Sequence, residues 1–238
     1  MVHELEAPRV VGDLYRALGE EVESCRPYLT GDVFMGVETA TADGARKKRD
    51  VMIIQHPCVL RTNGVDLVSQ LLVARVQQHP PIEDWGKYGK LMPLPGLFPN
   101  AASERKKHCA AMFDSLFLVT PQQLGDARVA CLSQVGINTL LQRWVFHSSR
   151  ATILTHTFDE ANFHVFEEAD VIEDWVIERT IEGGLKREDA AVECMEWLRR
   201  DLGDGRTQQV RLRDRQQRSA VRIDMRAYLR TLRETAVG

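Results

Sequence analysis

Short apolar segments separated by turn-forming residues make up the first half of the chain. Four of them are rich in β-branched or aromatic side chains and are bounded by Gly, Pro, Asn or Asp: residues 31–38, 50–60, 71–76 and 115–120. Such segments are typical of β-strands, whose side chains pack on a pleated surface. The pattern therefore predicts a β-sheet that begins near Gly31.

A helical period appears on both sides of these segments. Residues 11–24 place Leu14, Leu18 and Val22 four positions apart, and residues 136–149 place apolar side chains at i, i+3, i+4, i+7 and i+8. These spacings put the side chains on one face of an α-helix. We therefore predict an N-terminal helix before the sheet and another helix after it.

The last third of the chain is predicted to be mainly helical. Helical periods run through residues 167–182 and 186–201, and a further helix is expected to begin near Asp224. Two shorter runs before them, residues 151–158 and 162–166, are interpreted as a pair of strands.

A proline-rich stretch interrupts the strand pattern at residues 77–114, where five prolines occur. Because proline cannot donate to a β-ladder, we interpret the stretch as an insertion. Its aromatic residues Trp85, Tyr88 and Phe98 are expected to be exposed.

These patterns predict an α+β protein with three parts. Residues 1–28 hold the N-terminal helix, residues 29–158 form the β-rich domain with the insertion at 77–114, and residues 159–238 form a helical extension.

The charge distribution distinguishes these parts, although the whole chain carries only −3. Residues 31–150 carry +4, residues 151–198 carry −10 and residues 199–238 carry +6. Arginines recur at intervals of three or four in the basic segment: Arg211, Arg215, Arg218, Arg222, Arg226, Arg230 and Arg233. Such a stripe can bind nucleic acid. We favour pairing with the acidic segment upstream, because charges close in sequence have a high effective concentration.

Cysteine usage and hydropathy indicate in which cellular compartment the protein is expected. Five scattered cysteines argue against a secreted disulfide framework. No apolar run approaches the roughly 20 residues that span a bilayer, and the first residues lack the pattern of a signal peptide. We therefore expect a cytoplasmic protein with reduced thiols and no membrane partner.

The motifs of the β-rich domain follow a distinctive order. In sequence they are Gly31-Asp32-Val33-Phe34, a glycine loop at Gly44 leading to Arg49 and the apolar residues 50–54, the strand 71–76, the strand and Gln-containing turn 115–124, and Asp126-Ala127-Arg128 before a helix. Over residues 29–148 this order resembles the MazF/PemK-like toxin family.

The resemblance implies a small SH3-like β-barrel, a homodimer, and metal-independent cleavage of single-stranded RNA. In that family the arginine before the second strand stabilises charge on the phosphate, and Arg49 is the matching position. A guanidinium suits this role because it delivers two donors to an oxyanion without deprotonation. The implied partners are single-stranded RNA and an antitoxin or other protein, and no cofactor is expected.

Further basic residues near Arg49 are expected to concentrate RNA electrostatically. They are Arg46, Lys47, Lys48, Arg61 and Arg75.

Two residues depart from the family pattern. Asp50 replaces the proline after the arginine, and Gln77 falls where the family has a small hydroxyl residue. Asp50 is expected to pair with Arg49 or Arg46 and to repel phosphate. The departures therefore leave a second hypothesis open, a non-catalytic interaction or regulatory protein with a degenerate barrel.

His56 is an alternative catalytic residue, because histidine can act as general acid and base near neutral pH. The alternative that we favour is a strand-end histidine whose ring is satisfied by a backbone carbonyl. With Cys58, His108 and Cys109 it supplies two imidazoles and two thiols, but adjacent His and Cys fit structural zinc spacing poorly. We therefore predict no metal site.

Overall fold

The computed structural model describes residues 4–41, 44–62, 66–100 and 107–237. The chain divides into two units, of which the first comprises Met1–Val22 and Tyr28–Ala161. The second comprises Glu23–Pro27 and Asn162–Gly238.

The first unit holds nine strands among its described residues. They are β1 (Tyr15–Leu18), β2 (Val33–Ala40), β3 (Arg46–Ile53), β4 (Arg61–Thr62), β5 (Asp66–Leu67), β6 (Leu71–Gln78), β7 (Leu91–Leu94), β8 (Cys109–Val119) and β9 (Arg128–Leu132). Seven of them form an antiparallel sheet in the order β1-β9-β2-β3-β6-β8-β7, and β4 pairs with β5.

The sheet confirms the predicted α+β class but does not close into a barrel. In the described part of the chain, β1 pairs only with β9 and β7 pairs only with β8. The two edge strands are therefore not hydrogen-bonded to each other, and the expected closed SH3-like barrel is not observed. The apolar segments predicted as strands contribute to β2, β3, β6 and β8.

The α-helices of the described residues number six. They are α1 (Pro121–Leu124), α2 (Gln134–Ser149), α3 (Thr155–Ile181), α4 (Arg187–Arg199), α5 (Gln208–Arg211) and α6 (Arg218–Val237). Helix α2 confirms the helix predicted after the sheet, and the Ser133 hydroxyl caps it by accepting from the Gly136 N–H at 3.1 Å. No described helix is both long and apolar enough to cross a membrane.

The predicted N-terminal helix over residues 11–24 is wrong. A 3-10 turn at Val11–Leu14 leads into strand β1, and a second turn follows at Gly19–Glu21. Side chains four positions apart share a face of a strand as well as of a helix, so the spacing did not distinguish the two. Pairing with β9 satisfies backbone groups of β1, and Gly19 ends the strand with φ near +58°.

The proline-rich stretch is built into the sheet. It supplies strand β7, which pairs with β8, and the start of β8 itself. Trp85 is buried, contrary to expectation, whereas Tyr88 is exposed. Arg143 of α2 accounts for the burial of Trp85. Its guanidinium donates to the Trp85 and Tyr88 carbonyls and lies 5.1 Å from the Trp85 ring centroid.

A buried ion pair lies where β2 and β9 meet. Arg128 Nη1 is 2.9 Å from Asp32 Oδ2, and the two side chains are 3% and 2% exposed. The same Asp32 oxygen accepts a hydrogen bond from the Leu29 N–H at 3.1 Å. The pair joins the opening Gly-Asp motif to the later Asp-Ala-Arg motif, which are far apart in sequence.

Glu6 is fixed by three hydrogen bonds within the first unit. Its carboxylate accepts from the Thr155 hydroxyl at 2.6 Å, from the Thr155 N–H at 2.9 Å and from the Gln142 amide at 3.0 Å. Burial alone would raise the pKa of Glu6, but these donors outweigh it and the pKa lies below its ordinary value. The stabilisation is therefore present above the unfolded pKa and is lost as the pH falls through the folded pKa.

Replacing Glu6 with Gln is expected to lower the free energy of unfolding by about 1 kcal/mol at pH 7. The new NH2 group would face a donor that Glu6 now accepts from, so a hydrogen bond would be lost. The loss should shrink as the pH falls below about 4. Urea unfolding at several pH values measures it, with Glu4→Gln at an exposed position as the control. A Glu6→Gln loss that is the same at pH 3 and pH 7 would contradict the assignment.

The second unit consists of helices around an aromatic core. Trp175 of α3, Trp197 of α4 and Tyr228 of α6 lie with ring centroids 5.3 to 6.4 Å apart. Arg26 also belongs to this unit, and its guanidinium is 2.6 Å from Asp170 of α3. The helices predicted at residues 167–182 and 186–201 are confirmed within α3 and α4. The last predicted helix is confirmed as α6, but it begins at Arg218 and not near Asp224.

The two short strands predicted before these helices are wrong, because α3 begins at Thr155. Phe163, Phe166 and Ala169 are all buried and lie three positions apart, so the helical period extends upstream of residue 167. Each short apolar run resembles a strand by itself, and the helical period becomes visible only over the whole of residues 155–181.

Candidate nucleic-acid interface

The basic run beside Arg49 lies in a strand. Strand β3 begins at Arg46, so Arg46, Lys47, Lys48 and Arg49 alternate between the two faces of the sheet instead of lying in the predicted loop. The loop itself is short, and the Thr41 N–H donates to the Ala45 carbonyl across it at 2.8 Å.

Lys47 and Arg49 share the face of Val51 and Ile53, which belong to a buried apolar cluster. The neighbouring strand brings Arg75 to the same face, because Arg75 is the register partner of Val51. Arg46 and Lys48 point to the opposite face.

Gln77 completes the arrangement. Asp50 pairs with Val76 in the register of β3 and β6, and continuing by one residue puts Arg49 beside Gln77. Lys47, Arg49, Arg75 and Gln77 therefore share one face, which we call the basic sheet face. Neither Lys47, Arg49 nor Arg75 forms an ion pair with any residue that the structure describes.

Arg49 is held by two contacts. Its Nε donates to the Thr39 hydroxyl at 3.0 Å, and its guanidinium carbon lies 5.1 Å from the centroid of the Phe117 ring. Thr39 is buried, whereas Arg49 and Phe117 are partly exposed. Neither Thr39 nor Phe117 was a candidate from the sequence, although the alternation within residues 115–120 puts Phe117 on one face of its strand.

Asp50 does not act as the sequence suggested. Its carboxylate accepts a hydrogen bond from the Gly36 N–H at 3.0 Å, at a bulge in β2 where Gly36 has φ near +64°. Asp50 follows Arg49 in the strand and so lies on the opposite face. The expected pairing of Asp50 with Arg49 or Arg46 is therefore wrong, and Arg46 instead lies 3.5 Å from Glu38.

His56 is not brought to Arg49. Strand β3 ends at Ile53, about 13 Å along the strand from Arg49 at roughly 3.3 Å per residue, and His56 follows it. The His56 ring caps a 3-10 turn at Pro57–Val59, where its Nδ1 accepts from the Cys58 N–H at 3.3 Å. Burial lowers the pKa of His56. The structure thus favours a histidine bound to the backbone over a shared catalytic site, although the partner is an N–H group and not the expected carbonyl.

Arg61 also lies apart from the basic sheet face. It belongs to the small β4–β5 sheet, and its Nη2 donates to the Tyr28 carbonyl at 3.2 Å. Of the seven residues proposed from the sequence, the structure brings together Lys47, Arg49 and Arg75.

The described residues contain no group of three or more His, Cys, Asp or Glu side chains placed to hold a metal ion. The pairs His56/Cys58 and His108/Cys109 therefore do not assemble into a four-ligand set. All five cysteines are free thiols.

Several arginines of the stripe in the second unit form ion pairs, and Arg218, Arg222 and Arg233 pair with the acidic segment as the charge distribution predicted. Arg222 of α6 lies 3.2 Å from Glu167 and 2.9 Å from Asp174 of α3, and Arg233 lies 2.5 Å from Glu178. Arg218 contacts Glu167 as well. Because these guanidiniums already have carboxylate partners, the stripe offers less unpaired charge to a nucleic acid than its sequence indicates.

Comparison with known proteins adds no assignment. No protein-family model matches the sequence, and no curated protein matches it. The geometry of the basic sheet face therefore carries the functional argument.

Proposed function

We propose that the basic sheet face binds the phosphates of single-stranded RNA. The observation that carries the proposal is a set of three basic side chains, Lys47, Arg49 and Arg75, on one face and without carboxylate partners among the described residues. Side chains of this kind neutralise backbone phosphates and release counterions. The Gln77 amide can add a hydrogen bond to a phosphate or sugar oxygen.

The MazF/PemK-like resemblance supports RNA as the polyanion. Its motifs fall on strands β2, β3, β6, β8 and β9. These five strands lie side by side in the sheet, in the order β9-β2-β3-β6-β8. The Asp50 carboxylate, which had argued against phosphate binding, lies on the other face. These features support an RNA-acting protein with a MazF-like order of strands, and five free thiols suit a cytoplasmic location.

Replacing Lys47, Arg49 and Arg75 together with Ala is expected to weaken binding of a single-stranded RNA by at least about tenfold at low salt. The slope of log affinity against log salt should fall by about 2, since each phosphate contact on a single strand contributes about 0.7. Fluorescence anisotropy with a labelled RNA of about 12 nucleotides measures both quantities.

The matched control for this experiment is Arg46→Ala with Lys48→Ala, which removes two positive charges from the opposite face of the same strand. This variant should retain most of the affinity. Equal losses in the two variants would show only a diffuse charge effect, and no RNA binding by the natural protein would refute the proposal.

Metal-independent cleavage is the second candidate, favoured by the position of Arg49 beside Gln77. In such a reaction the ribose 2′-oxygen bonds to phosphorus, the bond to the 5′-oxygen breaks, and the proton passes from the 2′-hydroxyl to the leaving oxygen. Arg49 can stabilise the charge that develops on the phosphate. Gln77 can donate a hydrogen bond but has no hydroxyl, so the geometry supports binding more directly than turnover.

Incubation with long single-stranded RNA in EDTA separates the two candidates. Products that end in a 2′,3′-cyclic phosphate and disappear in Arg49→Ala would establish the endoribonuclease. Binding without products would instead support the non-catalytic protein, whose expected partners are RNA and an antitoxin-like protein or a second copy.

A further inference from the structure

The guanidinium of Arg49 is fixed more firmly than the other basic groups of the sheet face. Its Nε donates to Thr39 Oγ1, and its guanidinium carbon lies over the Phe117 ring, 5.1 Å from the ring centroid. Arg75 and Lys47 have no such contacts with described residues. A planar cation held on two sides keeps one orientation and loses little conformational entropy when it binds.

Thr39 fixes the direction in which the Arg49 side chain points. Its side chain is 1% exposed, and its hydroxyl donates to the Lys47 carbonyl at 3.2 Å while accepting from Arg49 Nε. The hydroxyl is thus oriented by the hairpin itself, because Thr39 and Lys47 are register partners. Only one of the five N–H donors of Arg49 is used in this bond, so the Nη donors remain for a ligand.

Phe117 is the second contact of the Arg49 guanidinium. Arg49 remains partly exposed although its guanidinium carbon lies over the ring. A guanidinium can meet a ligand along its Nη edge or on a planar face. These two directions offer different interactions. The edge suits the oxygens of a phosphate, whereas the face suits a flat π-system.

We propose that the exposed face of the Arg49 guanidinium, backed by Phe117, is a stacking surface for one unpaired nucleobase. This inference rests on the proposed RNA-binding function and assigns to it a base-recognition element. Unpaired bases stack on arginine planes and aromatic rings in RNA-binding proteins. Thr39 and Phe117 then act as positioning residues, which hold Arg49 between the ring and the base.

Base stacking on Arg49 would favour single strands over duplexes. In a duplex each base is already stacked on its neighbours and is not free to cover the guanidinium. Phosphate contacts alone would not make this distinction, because both forms carry the same backbone charge.

The test compares a single-stranded RNA with an abasic ribose-phosphate polymer of equal length and label. The natural protein should bind the base-bearing strand about tenfold more tightly. Arg49→Lys keeps the charge but removes the plane, and Phe117→Leu removes the ring that backs it. Both variants should lose the preference while affinity for the abasic polymer changes less than about twofold.

Two further variants control for folding. Thr39→Val replaces the hydroxyl with a methyl group of similar volume and should reduce the preference without exposing a new surface. Leu118→Ala alters the next residue of the same strand, whose side chain is 60% exposed on the other face, and should leave the preference unchanged. Melting temperatures identify any variant that loses its fold.

The outcomes separate the inference from the proposed function. Equal affinity of the natural protein for the two polymers, with losses on both in the Lys47/Arg75 double alanine variant, would overturn base stacking and leave phosphate binding intact. Absence of binding to either polymer would overturn both. A preference that survives Arg49→Lys and Phe117→Leu would place the base elsewhere and would also overturn the inference.

Discussion

Replacing Asp32 with Ala is expected to lower the free energy of unfolding of the first unit by about 3–5 kcal/mol, because the change removes the carboxylate that faces the buried charge of Arg128. Arg128 Nη1 lies 2.9 Å from Asp32, and both side chains are almost fully buried. Burial alone would lower the pKa of Arg128, but the Asp32 charge raises it above its ordinary value. The Asp32 carboxylate therefore helps to keep this cation in the interior.

Hydrogen exchange of β2 and β9, followed by mass spectrometry with increasing urea, measures this loss within the first unit. Asp126→Ala, two residues before Arg128 and exposed, is the matched control and should cost less than about 0.5 kcal/mol. Replacing both partners, Asp32→Leu with Arg128→Met, should recover much of the stability, since it removes both buried charges. An Asp32→Ala protein as stable as the Asp126→Ala protein would contradict the ion pair.

Replacing Trp175 with Ala is expected to lower the free energy of unfolding of the second unit by about 3–5 kcal/mol. Trp175 is fully buried, and its ring lies 5.3 Å from Trp197 and 5.8 Å from Tyr228. Its Nε1 also donates to Glu193 at 3.0 Å. Removing the ring leaves a cavity among helices α3, α4 and α6 and an acceptor that loses one donor.

The Trp175→Ala loss can be followed by hydrogen exchange of α3, α4 and α6, because the change should leave exchange of the sheet in the first unit largely unaltered. Trp175→Phe keeps most of the apolar volume without the Nε1 donor, so it should cost clearly less than Trp175→Ala. Ile181→Ala, at a side chain 77% exposed near the end of the same helix, is expected to be nearly neutral. Similar losses in Trp175→Ala and Ile181→Ala would refute the core assignment.

Local patterns predicted several elements well. Residues 71–76 form part of a strand because their β-branched side chains suit a half-buried pleated surface, and residues 136–149 form part of a helix because their apolar side chains recur with its period. The prediction of the first helix failed because side chains four positions apart share a face in a strand as well as in a helix.

The charged first half of strand β3 was not predicted as strand, for a different reason. Residues 46–49 are all basic, so they show no alternation of apolar and polar side chains, and their glycine-containing surroundings resembled a loop. Pairing with β2 makes them a strand. Only then does it become clear that Lys47 shares a face with Arg49 while Lys48 does not.

Arg49 and Arg75 were candidates from the sequence, through the resemblance and through their charge. Their common face and the position of Gln77 follow from the register between β3 and β6, which the sequence of either strand does not specify. The Thr39 and Phe117 contacts depend on strands β2 and β8, which lie on opposite sides of that pair in the sheet. His56 is close to Arg49 in sequence, but the fold does not bring it to the basic sheet face.

The sequence by itself determined the α+β class, the helical character of the last third of the chain and the attraction between its acidic and basic segments. These properties depend on side-chain periodicity and charge within short stretches, which act wherever the chain folds. The tertiary structure alone decided that the sheet stays open, that Asp32 meets Arg128, and that Arg49 lies between Thr39 and Phe117. Each of these depends on strand order and register, and burial of side chains distant in sequence selects among the many arrangements that local patterns allow.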